Sequence, residues 1–192
     1  MTERALRKYK CLTDNDISES GLTLRPIQDE DVESIRVWRN SQMTVLRQTQ
    51  VISLDQQKNY FDSEVFPTYS LEKPPQVLMA ILTHGQLIGY GGIVHINWTD
   101  RSGEISFLLD TNVGEGSAKH CEFLKRFVPL ILNVGFEQLG LHRIWTETFS
   151  FRMGHIKTLE DCGLALEGRL RETTKLGSTY VDSLIHAILE TD

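Results

Sequence analysis

Alternation of hydrophobic and polar residues predicts the strands in the first half of the chain. Residues 22–25 alternate in this way, and two longer apolar runs, 76–83 and 86–96, flank the dipeptide His84-Gly85. Such a dipeptide favours a tight turn, so the two runs predict an antiparallel hairpin. A further strand is predicted over residues 103–109.

Hydrophobic residues at helical spacing predict two helices before this hairpin. The first begins near Asp29, with acidic residues in its first turn. Its apolar face consists of Val32, Ile35 and Trp38. The second begins at Ser53, which with Gln56 has the spacing of a capping box, and we expect Tyr60 and Phe61 to pack inward.

One long apolar helix dominates the second half of the chain. Residues 117–139 carry two apolar stripes, which is typical of a buried helix, and Pro129 predicts either a kink or a second helix that begins there. A strand is predicted over residues 142–148, and a helix over 152–162 that ends at Gly163. The last two strands, 164–174 and 179–189, are predicted to form a hairpin. The pattern predicts an α+β fold with a central, mixed and mainly antiparallel sheet flanked by helices.

Composition restricts the class of protein and its partners. The 192 residues, 40% of them hydrophobic and 24% charged, fit one globular domain, which we place at residues 22–192 after a polar N-terminal leader at 1–21. The leader has no apolar run and no segment approaches the roughly 20 apolar residues of a spanning helix, so we expect a cytoplasmic protein without a membrane partner. A net charge of -6 argues against a nucleic-acid partner.

The cysteines argue against a metal site, and one glycine-bearing loop is a candidate phosphate-binding site. Three widely separated cysteines form no metal-binding pattern, so no metal is expected. Residues 111–118 form a glycine-bearing loop between a predicted strand and the long helix. Such a junction directs free backbone amides at a phosphate, and glycine lets the phosphate approach the main chain. A turn that requires positive backbone angles explains the glycines equally well.

Over residues 22–190 the chain resembles the GNAT superfamily of acyltransferases. Gly116 and Ala118 match the end of the loop with which that family binds acetyl-CoA. Residues 136–144 and 158–164 resemble the branch of ribosomal-protein N-terminal acetyltransferases, and residues 38–40 resemble the front region of amino-sugar N-acetyltransferases. The resemblance implies a GNAT-like fold with a twisted sheet. It also implies an N-acetyltransferase that uses acetyl-CoA as its co-substrate.

The resemblance also assigns roles to residues. It makes Glu104 the base that accepts the amine proton. A solvent-facing strand residue paired to a cation such as Arg101 is the alternative. Strand geometry places Ser106 on the same face as Glu104, where it is expected to bind substrate. The residues implied to bind acetyl-CoA are Phe107, Leu108, Leu109, Gly114, Glu115, Gly116, Ser117, Ala118 and Lys119.

The acceptor is expected to bind near the end of the first helix. The residues implied for it are Trp38, Arg39, Asn40 and Arg47. Its arginines suit an anionic acceptor such as a nucleotide-linked amino sugar, and an ordinary solvated helix face is the alternative. A small-molecule amine is the first expectation and a protein N-terminus the second, and a homodimer is the default assembly.

Three residues depart from the family pattern. Val113 stands where a basic or amide residue is common, Glu115 where many relatives are basic, and Leu159 where some relatives carry a tyrosine that protonates the leaving thiolate. These departures motivate a second hypothesis, a non-catalytic member that keeps the fold and binds CoA. His142 and Arg143 are interpreted as structural residues.

Overall fold

The computed structural model describes residues 6–46, 48–114 and 116–192. A single eight-stranded sheet runs through it in the order β1-β2-β3-β4-β5-β6-β8-β7. The strands are β1 (Ile17–Glu19), β2 (Leu22–Pro26), β3 (Val77–Thr83), β4 (Gln86–Asn97), β5 (Ser102–Leu109), β6 (Arg143–Phe149), β7 (Ala165–Leu176) and β8 (Thr179–Leu189). The helices are α1 (Val32–Ser41), α2 (Leu54–Tyr60), α3 (Ala118–Asn133) and α4 (Met153–Asp161). The predicted α+β class is confirmed.

The centre of the sheet contains its parallel pair. Strands β5 and β6 run parallel, whereas the other neighbouring strands are antiparallel. The two strands are paired at three positions, from Ser102 opposite Arg143 to Glu104 opposite Trp145. Beyond Glu104 they separate, and this separation opens a cleft inside the sheet.

The predicted hairpins form where the turn residues indicate them. His84 and Gly85 have φ angles of 49° and 76°, as a two-residue type I′ turn requires, and they connect β3 to β4. Ser20 and Gly21 adopt the same conformation between β1 and β2. Strand β1 was not predicted, because its three residues are too short and too exposed to give a periodic pattern.

Local signals also placed the first two helices correctly. The Ser53 hydroxyl accepts a hydrogen bond from the Gln56 amide at 3.2 Å, and the Gln56 side chain accepts one from the Ser53 amide at 2.8 Å, so the predicted capping box is confirmed. Phe61 is buried as expected. The inward packing predicted for Tyr60 is wrong, because its ring lies at the rim of a cavity and is 46% exposed.

Helix α3 passes through Pro129 without interruption, so the alternative of a second helix beginning there is wrong. Packing explains the tolerance, since residues on both sides of the proline are fully or almost fully buried: Phe127, Val128, Leu130 and Ile131. A wide turn follows at Val134–Gln138, where Gly135 packs against Ile144. In the described ranges, no helix is long and apolar enough to cross a membrane.

The described part of the N-terminal leader packs onto the sheet. Tyr9 is 1% exposed, and its hydroxyl accepts a hydrogen bond from the Leu78 amide at 2.8 Å. Arg7 forms an ion pair with Asp29 at 3.0 Å. These contacts attach the segment to β3 and to the start of the first helical region.

Glycine is required where β4 crosses beneath α3. A Cβ atom at Gly91 would lie 2.5 Å from the Ser106 carbonyl oxygen and 2.8 Å from the Phe127 ring. We expect Gly91→Ala to lower the free energy of unfolding by about 2 kcal/mol, because overpacking a filled core forces backbone shifts. Urea denaturation measures this. Gly168→Ala is the control, since a Cβ there meets nothing within 4 Å, and equal losses in both variants would contradict the steric explanation.

Candidate active site

A cleft of about 430 Å³ opens where β5 and β6 separate, and we call it the strand cleft. It lies between the two strands and is bordered by α3 and α4. Residues that line it include Glu104, Ile105, Ser106, Phe107, Leu124, Thr146, Glu147, Thr148, Phe149, Arg152, His155 and Leu159. The structure therefore brings the two predicted catalytic residues, Glu104 and Ser106, to one wall.

Glu104 has a defined partner in this wall. Its Oε2 atom lies 2.7 Å from Nδ1 of His95, and its side chain is 18% exposed. Arg101, the cation suggested from the sequence as its partner, bonds instead to Glu190 at 2.8 Å and to the Gly140 carbonyl at 2.6 Å.

The backbone of β5 also faces the cleft at alternate residues. The Ile105 carbonyl accepts a hydrogen bond from Thr146 of β6, so the polar groups of Ile105 point to the β6 side. Phe107, two residues further, points the same way, whereas the carbonyls of Ser106 and Leu108 lie against the glycines of β4. Of the three backbone positions predicted to hold the co-substrate, Phe107 lines the cleft in this orientation, Leu108 points to β4, and the Leu109 carbonyl accepts a hydrogen bond from Gln42 at 2.8 Å.

A second cavity of about 370 Å³, which we call the side cavity, adjoins the strand cleft. Its lining residues are Ile35, Arg39, Ile52, Gln56, Gln57, Tyr60, Phe61, Gln76, Leu78, Tyr90, Val94 and Ser106. Arg39, Val94 and Ser106 line both cavities, so the two meet at these residues. A molecule in the side cavity would thus reach the wall that carries Ser106.

The structure separates the residues predicted to bind the acceptor. Arg39 donates hydrogen bonds to the Tyr90 hydroxyl at 2.8 Å and to Gln48 at 3.2 Å, at the junction of the two cavities. Trp38 instead packs in the core at 7% exposure, because it shares the buried helix face with Ile35. The fourth predicted residue, Arg47, lies outside the described residues.

Asn40 does not line either cavity and acts on the neighbouring loop. Its side chain bonds to both backbone groups of Ile52 at 2.9 Å and accepts a hydrogen bond from Gln48 at 2.8 Å. Because Ile52 lines the side cavity, Asn40 helps to shape that cavity from outside.

The glycine-bearing loop lies at the N-terminal end of α3. Gly114 and Gly116 have φ angles of 76° and 70°, and Ser117 caps the helix by accepting a hydrogen bond from the His120 amide at 3.1 Å. Ala118 and Lys119 form the exposed first turn, where an α-helix leaves amides without intrahelical partners. The predicted Glu115 lies outside the described residues.

Two helix starts meet beside this loop. Gly116 lies against Gly154 in the first turn of α4, and the Cys121 thiol donates to the Gly154 carbonyl at 3.5 Å. Arg152 is the N-cap residue of α4 and lines the strand cleft. Helix starts and an arginine favour an anionic group at this end of the cleft.

Comparison with known proteins decides the family. Residues 24–185 match the family described as "Acetyltransferase (GNAT) domain". The chain belongs to the GNAT acetyltransferase family. It is therefore an N-acetyltransferase that uses acetyl-CoA as its co-substrate, as predicted. No curated protein matches the sequence.

Solved structures of other GNAT proteins share the fold. A spermidine N-acetyltransferase from Vibrio cholerae, in complex with CoA and spermine, is 22% identical with a TM-score of 0.79, over 90% of this chain and 98% of that chain. A dodecameric structure of spermidine N-acetyltransferase from Vibrio cholerae is 21% identical with a TM-score of 0.73, over 90% and 96% of the two chains. At this identity the likeness shows the fold.

The strand cleft of this GNAT protein fits its co-substrate. Exposed amides at the start of α3 and the guanidinium of Arg152 suit a pyrophosphate, and the β6-facing backbone of β5 suits an amide-containing arm. Val113 fits its unusual position because its side chain is 9% exposed and packs in the core. Among the described residues, no group of three or more potential metal ligands lies together.

The sequence analysis missed a histidine pair in this GNAT cleft. His155 lines the cleft and its Nδ1 lies 3.2 Å from both Nε2 of His120 and an Nη of Arg152. Since arginine only donates, Nδ1 accepts and the ring proton sits on Nε2, which can donate to a bound ligand. His155 stands one helical turn before Leu159 on the same buried face, and that spacing is the signal that would have found it.

The buried His155 predicts how stability depends on pH. Burial holds its pKa well below the ordinary value, and the charges of Arg152 and His120 lower it further. Below about pH 6.5 the unfolded chain therefore binds a proton that the folded protein excludes, so stability falls as pH falls. At pH 5.5 this histidine should lower the free energy of unfolding by about 1.4 kcal/mol.

Urea denaturation at pH 7.5 and 5.5 tests the effect. The difference between the two pH values should shrink by about 1.4 kcal/mol in His155→Gln and stay unchanged in the control His84→Gln, whose histidine is exposed. An identical pH dependence in wild type and His155→Gln would show that the ring titrates normally.

Proposed function

We propose that this acetyltransferase acts on the primary amine of a small polar acceptor held in the side cavity, such as a nucleotide-linked amino sugar. The lining of that cavity carries the proposal. Its polar groups are three glutamine amides, hydroxyl groups and one guanidinium, and among its described lining residues none is acidic. Amide and hydroxyl groups are the hydrogen-bonding partners that a sugar ring needs.

Gln57 supports a polar ligand most directly. It lines the side cavity, and its residue is 3% exposed. A glutamine amide can both donate and accept hydrogen bonds. A polar acceptor in the cavity would supply a hydrogen-bond partner for it.

A polyamine is the second candidate, since the spermidine N-acetyltransferase with spermine bound shares the fold. The charge of the side cavity disfavours it. A polyamine carries several positive charges, whereas Arg39 is the ionised group among the described lining residues. Placing several cations beside a cation costs binding energy, so an acceptor that carries a single amine, or one with a net negative charge, fits better.

The walls of the two cavities support a direct transfer. Acetyl-CoA supplies the electrophilic thioester carbonyl. Glu104 lies in the strand cleft next to Ser106, where a carboxylate can take the amine proton, and the Ser106 hydroxyl faces the junction with the side cavity. The backbone amide of Phe107, on the β6-facing side of β5, can stabilise the oxygen that gains negative charge. Leu159 carries no acidic group, so the thiolate must take its proton from elsewhere.

The proposal is tested by an acceptor screen with acetyl-CoA. Nucleotide-linked amino sugars, free amino sugars, spermidine and a basic peptide are compared by kcat/KM, and the nucleotide-linked sugar is expected to be the best. Arg39→Gln should raise its KM about tenfold, because a hydrogen bond to a charged group contributes about 1.5–3 kcal/mol.

Arg171→Gln, a change at an exposed residue of β7, is the control and should leave KM unchanged. Spermidine as the best acceptor would refute the sugar proposal and favour the second candidate. Acetyl-CoA binding without transfer to any amine would favour the non-catalytic hypothesis.

Self-association is also part of the proposal. A neighbouring spermidine N-acetyltransferase is dodecameric, and β7 in this chain is a long terminal strand of the sheet that is exposed along most of its length. Terminal strands carry unpaired backbone groups that pair readily with another chain. Light scattering during size exclusion would show whether the protein is the expected homodimer, a larger assembly or a monomer.

A further inference from the structure

Strand β4 contains one extra residue next to Glu104. In the pairing of β4 with β5, Val94 is opposite Glu104 and Asn97 is opposite Ser102, so three steps along β4 match two steps along β5. This is a β-bulge, and His95 lies in it with a φ angle of 51°. A positive φ is uncommon outside glycine, so the surrounding structure must hold His95 in this conformation.

The bulge changes the direction of the His95 side chain. In a regular strand successive side chains point to opposite faces, so His95 would point away from the face that Val94 shares with Glu104. Instead, its Nδ1 atom lies 2.7 Å from Oε2 of Glu104, and both residues line the strand cleft. The distortion therefore brings an imidazole onto the carboxylate of the cleft wall.

The contact determines which imidazole nitrogen is free to act. An ionised carboxylate only accepts hydrogen bonds, so in the neutral imidazole Nδ1 carries the proton and Nε2 is the acceptor. Glu104 is mostly enclosed, with its side chain 18% exposed, whereas the His95 side chain is 75% exposed. A proton taken up by the imidazole can thus be passed to water.

We infer that His95 and Glu104 form a dyad in which His95 Nε2 takes the proton from the acceptor's ammonium group and releases it to solvent. This inference rests on the proposed acetyl transfer to an amine and adds a catalytic residue to it. Glu104 then orients the ring and stabilises the imidazolium that forms. The carboxylate and the imidazole act together, in place of the carboxylate alone.

The proton balance is complete with the two substrates. The ammonium group loses one proton to Nε2 and becomes a neutral amine. Its nitrogen bonds to the thioester carbonyl carbon, the carbon–sulfur bond breaks, and the second proton leaves the nitrogen and ends on the CoA sulfur. The products are an amide, CoA thiol and one proton, which His95 gives to water.

His95→Ala tests the dyad in the full-length protein with the best amine of the acceptor screen. We expect kcat/KM to fall about 10²-fold while the Kd for acetyl-CoA is unchanged, because proton transfer by a side chain typically contributes 10²–10⁴-fold. Added imidazole at about 50 mM should raise the rate of His95→Ala at least tenfold, since it can occupy the space left by the side chain. A purely structural histidine would not be replaced in this way.

His84→Ala is a matched control, because His84 is exposed and has a φ angle of 49°, so alanine meets the same backbone strain outside the site. It should keep full activity and show no response to imidazole. His95→Asn tests the ring with a residue that tolerates a positive φ, and it should be as slow as His95→Ala.

Two results separate this inference from the proposed function. If the wild type is active and His95→Ala is equally fast, the dyad is wrong and the proposed function stands. The same holds if His95→Ala is slow and imidazole does not raise its rate. A wild type that binds acetyl-CoA and acetylates no amine overturns the proposed function and the dyad together.

Discussion

Glu104→Gln is expected to lower kcat/KM for acetyl transfer by about 10²–10³-fold, because the amide has the shape of the carboxylate but lacks the negative charge that takes up the amine proton or stabilises the His95 imidazolium. The oxygen of the new side-chain amide can still accept the hydrogen bond that Glu104 takes from His95 at 2.7 Å, so the wall of the strand cleft should stay intact. Since the change affects the chemical step, kcat should fall with kcat/KM. Steady-state kinetics at saturating acetyl-CoA measures both.

Two controls show whether the loss is chemical. Calorimetric titration should give the same Kd for acetyl-CoA in Glu104→Gln and wild type. Glu122→Gln removes a carboxylate whose side chain is 68% exposed, on α3, and should leave the kinetics unchanged. If Glu104→Gln retains more than half of the wild-type rate, the amine reaches the thioester already neutral and Glu104 has no role as base or as part of a dyad.

Phe127→Ala should be the most destabilising of the substitutions considered, with a loss of about 3–5 kcal/mol in the free energy of unfolding. The ring is completely buried in α3, where it packs against Phe107 at a centroid distance of 4.8 Å. Alanine leaves a cavity at the junction of helix and sheet, next to the β4 backbone at Gly91. Because Phe107 lines the strand cleft, the KM for acetyl-CoA should also rise.

The size of the loss is calibrated by milder changes. Phe127→Leu keeps most of the buried volume and should cost about 1–2 kcal/mol. Phe151→Ala removes a phenylalanine that is 49% exposed and stacked on Phe149, and it should cost about 1 kcal/mol. Urea denaturation provides all three values. A loss below about 1 kcal/mol in Phe127→Ala would mean that the core repacks around the missing ring.

Most of the fold could be predicted because its signals are local. The turn at His84 and Gly85, the capping box at Ser53 and the glycine after α4 each act within a few residues. Of the two alternatives predicted at Pro129, the second helix is wrong, because tertiary packing on both sides of the proline outweighs its propensity. The separation of β5 from β6 could not be predicted, because it depends on a partner strand distant in sequence.

Site residues could be predicted from the sequence where they alternate along a single strand. Glu104 and Ser106 reach the cleft together because they alternate on β5. His95 could not be assigned, since only the register of β4 against β5 reveals the bulge that turns it toward Glu104. Trp38 shows the opposite difficulty, because an aromatic residue on a helix can face either the core or a ligand, and here it faces the core.

The short pairing of β5 with β6 gives this sheet two edges in its interior. Unpaired strand edges on a protein's surface recruit other chains and promote aggregation. Here Leu124 of α3 and Leu159 of α4 border the opening, so the two edges face a cleft between helices and not the outer rim of the sheet. The sheet can thus keep backbone hydrogen-bonding groups available for a small substrate at its centre without the usual risk of misassembly.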